Sequence, residues 1–433
     1  MKKPDGVDRT FISFSIAHRF FCLTAMHTAL VTSRCLDFLP QPNGQVEITH
    51  RLIGKKYLVA HDVYQILDTL RRPGQRQEAM AALSGRYQAA QVASTCAFLE
   101  QHRLLVPPET DETFVVQPVK NPLFGLADYV PTDEYTTPQV VFCGVPYGGG
   151  NSEDNNCRHF PVHLRHHLSR QNATLTKKIE SIDFRFLSAD TDFNRLREGL
   201  SSGRFRDWGD LYVGPGESRE TVHRRIAQAA RQLFGRGHVP FFMGGDHSIS
   251  WPMILACSET YPAFQVLHFD AHIDAYQTHE SPMYHDPTAA PHHGNFMTKC
   301  LELQGLARVS QLGIRGIVNN RPHKHPKQRI YWADELPGLL HNPAALAAVL
   351  EPGLPVYLTF DIDFLDPHVA PGTATPVAGG LSYPQTSTLL QRLLGEANIV
   401  GLDFVEVNPQ RDVAGLTLQV AASLVLNLLN LIH

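Results

Sequence analysis

Short apolar runs that end in glycine or in polar residues recur along the chain from about residue 137 onward. Such near-continuous apolar runs are typical of strands in a parallel sheet that is covered on both faces. Helical stretches separate them; one, residues 219–237, has apolar positions three or four residues apart and a stop signal at Gly235. The alternation predicts an α/β domain with strands at 139–147, 239–245, 264–270, 308–316, 355–363 and 398–407.

The front of the chain has a different pattern. Apolar positions at helical spacing occur in residues 57–74 and again in residues 88–106, which predicts a small separate module of two or three short helices and a few strands. Residues 106–122 are rich in proline and acids, have no period, and indicate a linker. The predicted organisation is an extension at 1–26, the module at 27–108, a linker at 109–136 and the α/β domain at 137–433.

Length and composition narrow the class of protein. A chain of 433 residues exceeds the usual size of one hydrophobic core, which agrees with two domains. The net charge of −4 argues against a general attraction to nucleic acid or to an anionic membrane. Seven cysteines without CxxC pairs suggest neither a disulfide framework nor a structural zinc site, so we expect a cytoplasmic protein. The apolar N-terminus is interrupted by His18 and Arg19, and no run reaches a membrane-spanning length.

Metal-ligand side chains follow four of the predicted strands. Residues two apart on a strand share a face, so Asp270, His272 and Asp274 project together. Carboxylates gathered at strand ends repel one another unless cations compensate their charge. The mixture of Asp and His favours a borderline-hard ion such as Mn²⁺, and this many ligands require two ions. The segments concerned are "GGDHSIS" (244–250), "DAHID" (270–274), "DID" (361–363) and "VEV" (405–407).

The motifs "GGDHS", "DAHID", "DIDFLDP", "GTATPVAGGL" and "GLDFVEVNP" resemble those of the ureohydrolases, a family of arginases, agmatinases and relatives, and the resemblance covers residues 138–431. It implies a three-layer α/β/α fold and two Mn²⁺ ions bridged by a hydroxide that attacks a guanidinium carbon. Asp274 is also predicted to be a catalytic residue, since its loss should remove a metal ion and the activity together. The implied ligands are His247, Asp270, His272, Asp274, Asp361 and Asp363.

The same resemblance implies roles for residues outside the ligand set. Glu406 would form a bidentate pair with the substrate guanidinium. His293 stands where the family has its proton-shuttling histidine, with His292 as the alternative. Thr375 aligns with a threonine near the guanidinium, although a turn-stabilising hydroxyl explains it equally well. Asp246 is interpreted as a carboxylate that fixes the loop and is not a ligand.

The sequence departs from arginases where they hold the amino-acid end of free arginine. Tyr276 replaces a polar residue, Ala289 replaces a Ser or Thr, and residues 317–320 read "IVNN" instead of offering an acid. Tyr276 is therefore predicted to bind substrate in an agmatinase-like way. The front module is similar in pattern to the winged-helix-like PqqD-like recognition elements, which hold the leader of a ribosomal precursor peptide.

Three hypotheses follow. The favoured one is a peptide arginase that converts arginine in a precursor peptide to ornithine and releases urea, with the leader bound by the front module. The alternative is a hydrolase of agmatine or a guanidino acid, with the front module serving stability or oligomerisation. The third is a metal-binding regulator that contacts DNA through Arg71, Arg72 and Arg76, and the complete catalytic set argues against it. We expect neither nucleic acid nor membrane as a partner, and homo-oligomer formation stays open.

Overall fold

The computed structural model describes residues 9–12, 29–50, 55–75, 81, 86–108, 114–131, 133–171, 192–214, 216–276, 289–317 and 325–432. The chain divides into two compact units, residues 1–115 and 116–433. None of the helices in the described ranges combines the length and apolar character needed to cross a membrane.

The first unit has two helices among its described residues, and both helical periods read from the sequence are confirmed. Their apolar faces join the strands in one core. The elements are β1 (Arg9–Ile12), β2 (Ala29–Thr32), β3 (Leu36–Pro40), β4 (Val46–His50), β5 (Lys55–Val59), α1 (His61–Thr69), β6 (Gly74–Gln75), α2 (Ala89–Gln101) and β7 (Leu105–Val106). One sheet has the strand order β1-β5-β4-β3 and the other has the order β6-β2-β7. Apart from 9–12, the predicted extension lies outside the described residues, as does Arg76.

The second unit is built on a ten-stranded, mostly parallel sheet, which confirms the predicted α/β fold class. All six strands expected from apolar runs are present. The strands are β8 (Val116–Gln117), β9 (Ala127–Asp128), β10 (Val140–Gly144), β11 (Phe205–Leu211), β12 (Val239–Met243), β13 (Phe264–Phe269), β14 (Leu306–Ile314), β15 (Gln328–Trp332), β16 (Val356–Asp361) and β17 (Ile399–Val405). Their order is β15-β14-β13-β16-β17-β12-β10-β11-β8, and β9 pairs with β11.

Four strands of this sheet differ from the sequence-based expectation. β8 and β9 lie in the segment assigned to a linker, yet both pair with β11, β8 antiparallel and β9 parallel. β11 alternates buried and half-buried positions, and every residue of β15 is at least partly exposed. Because these strands lie toward the edges of the sheet, they lack the continuous apolar run that identifies a central strand.

Helices cover both faces of the sheet, as a three-layer arrangement requires. Adjacent residues of β17 show this, because neighbours on a strand point to opposite faces. The ring of Phe404 lies 6.0 Å from that of Phe160 on one face, while Asp403 accepts a hydrogen bond from Ser250 on the other. The helices are α3 (Phe160–Gln171), α4 (Asn194–Ser201), α5 (Arg219–Phe234), α6 (Ser250–Thr260), α7 (Phe296–Leu301), α8 (Leu336–Leu340), α9 (Pro343–Ala347), α10 (Tyr383–Leu394) and α11 (Leu416–Leu431).

The four strands that precede the candidate ligands are neighbours in the middle of the sheet, in the order β13-β16-β17-β12. Their carboxyl ends therefore meet at one edge, where ligands of parallel α/β sheets gather. Gly245, in the turn that follows β12, has a φ of +84°, and a Cβ there would lie 2.8 Å from the carbonyl oxygen of Tyr147. Only glycine fits this turn.

Candidate metal centre and active site

His247 enters the site from a short 3₁₀ turn, His247–Ile249, that follows β12. Asp246 caps this turn by accepting a hydrogen bond from the backbone N–H of Ser248 at 3.0 Å. Its other carboxylate oxygen accepts from the N–H of Gly150 at 2.7 Å. Asp246 therefore fixes two loops against each other, as predicted.

The imidazole of His247 faces three carboxylates. Its Nδ1 atom lies 2.9 Å from Oδ2 of Asp270, 3.1 Å from Oδ2 of Asp274 and 3.3 Å from Oδ2 of Asp361. These side chains come from three segments that are far apart in the sequence, at residues 247, 270–274 and 361. The structure thus brings four of the predicted ligands to one point.

A second group of ligand atoms lies beside the first. Nδ1 of His272 is 3.0 Å from Oδ2 of Asp363 and 3.4 Å from Oδ1 of Asp270. Asp270 presents one carboxylate oxygen to each group, so the two groups share it. All six residues predicted as ligands therefore lie in one cluster, and its chemistry suits metal ions.

Two observations test whether these residues fit divalent cations. The Nδ1 atom of His247 is buried and makes no hydrogen bond, although three carboxylates surround it. Burial and the charges of Asp363 and Asp270 also raise the pKa of Asp361 well above its usual range, and burial and Asp270 raise the pKa of Asp274. Crowded buried carboxylates around a ring nitrogen without a hydrogen bond are the arrangement that cations stabilise. The residues present fit a metal centre.

His268 lies in the first group as well, and the sequence analysis did not select it. Both of its ring nitrogens already have partners, since Nε2 is 2.8 Å from Oδ2 of Asp270 and Nδ1 is 2.7 Å from Nε2 of Gln311. Its position two residues before Asp270, on the same face of β13, was the available signal.

Glu406 is buried beside the cluster, directly after β17, and both of its carboxylate oxygens are held. Oε1 accepts a hydrogen bond from the backbone N–H of His247 at 3.0 Å, and Oε2 accepts from the side-chain amide of Asn151 at 3.0 Å. The φ angles of Glu406 and Asp274 are +61° and +47°. Such left-handed backbone at residues other than glycine is uncommon and clusters at functional sites.

His293 adjoins Glu406. Nδ1 of His293 lies 3.6 Å from Oε1 of Glu406, and Nε2 lies 3.4 Å from Oγ of Ser152. Burial lowers the pKa of His293, but the nearby carboxylate of Glu406 outweighs burial and raises it overall. Nδ1 of His292 instead accepts the N–H of Gly294, and burial lowers the pKa of His292 to about 3.

The two other candidates for substrate contact lie at the margin of the cluster. Oγ1 of Thr375 donates to Oδ2 of Asp363 at 3.4 Å. The backbone N–H of Tyr276 donates to the carbonyl oxygen of Gly294 at 3.1 Å, so Tyr276 adjoins the loop that carries His293. Of the "IVNN" segment, residues 318–320 lie outside the described residues.

Asn151 is a functional candidate that the sequence analysis missed. Its side-chain oxygen accepts hydrogen bonds from the backbone N–H groups of Glu153 and Asp154, which leaves the amide nitrogen directed at Glu406. Asp154 in turn accepts from Nδ2 of Asn408 at 2.9 Å. The loop after β10 is thereby tied to the loop after β17. The signal that could have identified Asn151 is the position of its loop at the carboxyl end of a central strand, β10.

A parallel α/β sheet that carries clustered histidines and aspartates at its carboxyl edge, beside a buried glutamate, defines a class of metal-dependent hydrolases. The sequence model described as Arginase family matches residues 138–430. The chain belongs to this family, whose members hydrolyse C–N bonds of guanidino groups.

Individual relatives agree with this assignment. Guanidinopropionase of Pseudomonas aeruginosa is 32% identical over 320 residues, 71% of this chain and 92% of the relative. The mitochondrial agmatinase of Gallus gallus is 31% identical over 360 residues, 81% of this chain and 95% of the relative. The crystal structure of proclavaminate amidino hydrolase from Streptomyces clavuligerus superimposes with a TM-score of 0.57 at 26% identity, covering 72% of this chain and 97% of the other.

Proposed function

We propose that the protein hydrolyses the guanidino group of a free small molecule, releasing urea and leaving a primary amine. The observation that carries the proposal is the buried carboxylate of Glu406, held between the ligand cluster and His293. The relatives named for agmatine and guanidinopropionate support a small substrate. The residues that would hold two Mn²⁺ ions are His247, Asp270, His272, Asp274, Asp361 and Asp363.

Divalent cations held by this cluster would supply Lewis acidity and would lower the pKa of water enough for hydroxide to exist at neutral pH. Asp270 would serve both cations, because it has one oxygen in each group.

Glu406 binds and orients the substrate. A guanidinium is planar and presents two parallel N–H groups, which match the two oxygens of a carboxylate. Each oxygen of Glu406 accepts one hydrogen bond from the protein and keeps a second lone pair for the substrate. The donors, the His247 backbone and the Asn151 amide, fix the plane in which the guanidinium must lie.

His293 supplies the proton. When the C–N bond to the substrate amine breaks, the nitrogen must be protonated to leave as an amine. The nearby carboxylate of Glu406 raises the pKa of His293 despite its burial, which favours the imidazolium form. Thr375 and Tyr276 adjoin the cluster and the His293 loop, where we assign them to substrate contact.

A second candidate is hydrolysis of peptide-bound arginine. It is supported by the unit of residues 1–115, which lies before the start of the family match at 138 and whose sequence pattern is similar to winged-helix-like peptide-recognition domains. The relatives favour the free small molecule over the peptide that the sequence analysis preferred. Arg71, one of the three arginines of the DNA-binding alternative, pairs within the unit with Asp68, at 2.8 Å, and with Tyr64.

Urea release in the presence of Mn²⁺ separates these candidates. The substrates are 3-guanidinopropionate, agmatine, free arginine and an arginine peptide with blocked termini, at equal concentration, with Glu406→Gln as the inactive control. Urea from a small guanidino compound supports the proposal. Urea from the blocked peptide alone supports the second candidate, and no urea from any of them at saturating Mn²⁺ would overturn both.

A further inference from the structure

Four buried polar side chains lie side by side on four neighbouring strands, next to the ligand cluster. The register pairs Gln311 with His268, His268 with Thr359, and Thr359 with Asp403. All four are fully buried, at 0% exposure, where a parallel sheet normally carries apolar residues. On the next strand the same row continues with an apolar residue, Phe242. We call these four residues the polar row.

At one end of the row, the direction of each hydrogen bond follows from Asp403. Its Oδ1 accepts from the hydroxyls of Thr359 at 2.6 Å and Ser250 at 3.0 Å, and its Oδ2 accepts from Tyr357 at 2.6 Å. A hydroxyl has a single proton, and Thr359 donates it to Asp403. The oxygen of Thr359 must therefore accept at its 2.8 Å contact with Nε2 of His247. This places the proton of His247 on Nε2 and leaves a lone pair on Nδ1.

The other end of the row acts on the shared ligand. Nε2 of Gln311 donates to Nδ1 of His268 at 2.7 Å and to the carbonyl oxygen of Ile273 at 2.7 Å. The proton of His268 is therefore on Nε2, which donates to Oδ2 of Asp270 at 2.8 Å. Gln328, on the outermost strand, donates to the side-chain oxygen of Gln311 and so fixes its amide.

We propose that the polar row sets the tautomer of His247 and the orientation of the Asp270 carboxylate, and thereby the affinity of the cluster for divalent cations. The proposal rests on the proposed function, since it takes the cluster to be the metal site. His268, Thr359, Gln311 and Asp403 are positioning residues. Partners of metal ligands of this kind change metal affinity by about 10- to 100-fold when they are removed.

The first experiment uses Thr359, with Mn²⁺ binding to the substrate-free protein measured from the EPR signal of free Mn²⁺. Thr359→Val keeps the shape of the side chain and removes the hydroxyl, whereas Thr359→Ser keeps the hydroxyl. We expect Thr359→Val to weaken Mn²⁺ binding by about 10- to 100-fold and Thr359→Ser to restore it to within about threefold. The matched control is Tyr357→Phe, which removes a donor to Asp403 and leaves the hydroxyl of Thr359 and its contact with His247 in place.

The outcomes decide the proposal. Wild-type affinity in Thr359→Val overturns it, and so does an equal loss in Tyr357→Phe, which would mean that any disturbance of Asp403 has the same effect. If Thr359→Val does not fold, the pair His268→Phe and His268→Gln makes the same test, since Gln keeps a donor for Asp270. Failure of the proposed function is distinguishable: unchanged Mn²⁺ binding in His247→Ala would show that the ions bind elsewhere.

Discussion

The side-chain amide of Asn151 donates a hydrogen bond to Oε2 of Glu406 at 3.0 Å, which joins the loop after β10 to the loop after β17. The backbone N–H of His247 holds the other oxygen of the same carboxylate. Glu406 is thus oriented by two separate parts of the chain before a substrate enters. Because the orientation of the Glu406 carboxylate is fixed before binding, less conformational entropy is lost when the guanidinium binds.

Replacing Asn151 by alanine is expected to raise KM about tenfold with a smaller effect on kcat. A hydrogen bond to a charged group contributes about 1.5–3 kcal/mol, and its loss frees the carboxylate to rotate. Steady-state urea release at saturating Mn²⁺ measures both constants. Asn155→Ala, an exposed position in the same loop, is the matched control and should behave as wild type. A wild-type KM in Asn151→Ala would contradict the assigned role.

Glu406→Gln is expected to keep its metal content and to lose at least about 100-fold in kcat/KM. The substitution removes the charge that pairs with the guanidinium, and losing one partner of a buried charge pair costs about 2–5 kcal/mol. Elemental analysis of the purified variant gives the metal content, and urea release gives the activity. Full activity in this variant would eliminate Glu406 as the guanidinium partner.

Removal of single ligands should affect metal content in different ways. Asp270 contributes an oxygen to both groups of ligand atoms, whereas Asp274 faces His247 in the first group. We therefore expect Asp270→Ala to lose most of both ions, and Asp274→Ala to lose one ion together with activity. Metal per chain after dialysis at fixed free Mn²⁺ is the measurement. Equal loss in both variants would argue against a shared Asp270.

The pH dependence of kcat/KM should show the protonation of His293. The pKa of His293 is raised above its usual value, so the acid form is present below the raised pKa and is lost as pH rises through it. Activity that needs this proton therefore falls on the alkaline side. His293→Asn should remove that alkaline fall and lower the rate by about 10²- to 10⁴-fold. His292→Asn is the control, and an unchanged alkaline limb in His293→Asn would assign the proton to another group.

A buried ion pair outside the ligand cluster offers a prediction about stability. Nη2 of Arg165 lies 2.9 Å from Oδ1 of Asp207, and both side chains are buried. Arg165→Met leaves Asp207 without its cation, which we expect to cost about 3–5 kcal/mol of the free energy of unfolding. The exposed pair of Arg231 and Glu259 is the control, since Arg231→Met should cost about 1 kcal/mol or less. Urea-induced unfolding followed by circular dichroism measures the free energy of unfolding of both variants. Similar losses in Arg165→Met and Arg231→Met would contradict this prediction.

The central strands could be predicted from the sequence because each is an apolar run buried on both faces. β11 and β15 could not, since strands near an edge of the sheet mix polar with apolar residues. Segments 116–117 and 127–128 are too short to have a period, and only pairing with β11 makes them strands.

The ligand set could be predicted because it follows strand ends in recognisable motifs. Asn151 and the polar row could not, because their partners are distant in the sequence. Thr359 and Asp403 are 44 positions apart, and Asn151 and Glu406 are 255 apart. A threonine or aspartate inside an apolar strand is visible as an interruption, but its partner depends on the register between strands.

The pairing of β12 with β17 brings residue 241 beside residue 402, and the ligand cluster is complete only when this central pairing has formed. An unfolded chain has no equivalent of the cluster, so cations that bind it bind the native state alone. By mass action, each tenfold rise in free cation above the dissociation constant then adds about 1.4 kcal/mol per ion to the free energy of unfolding. The thermal stability of this fold thus depends on the free cation concentration as well as on the amino-acid sequence.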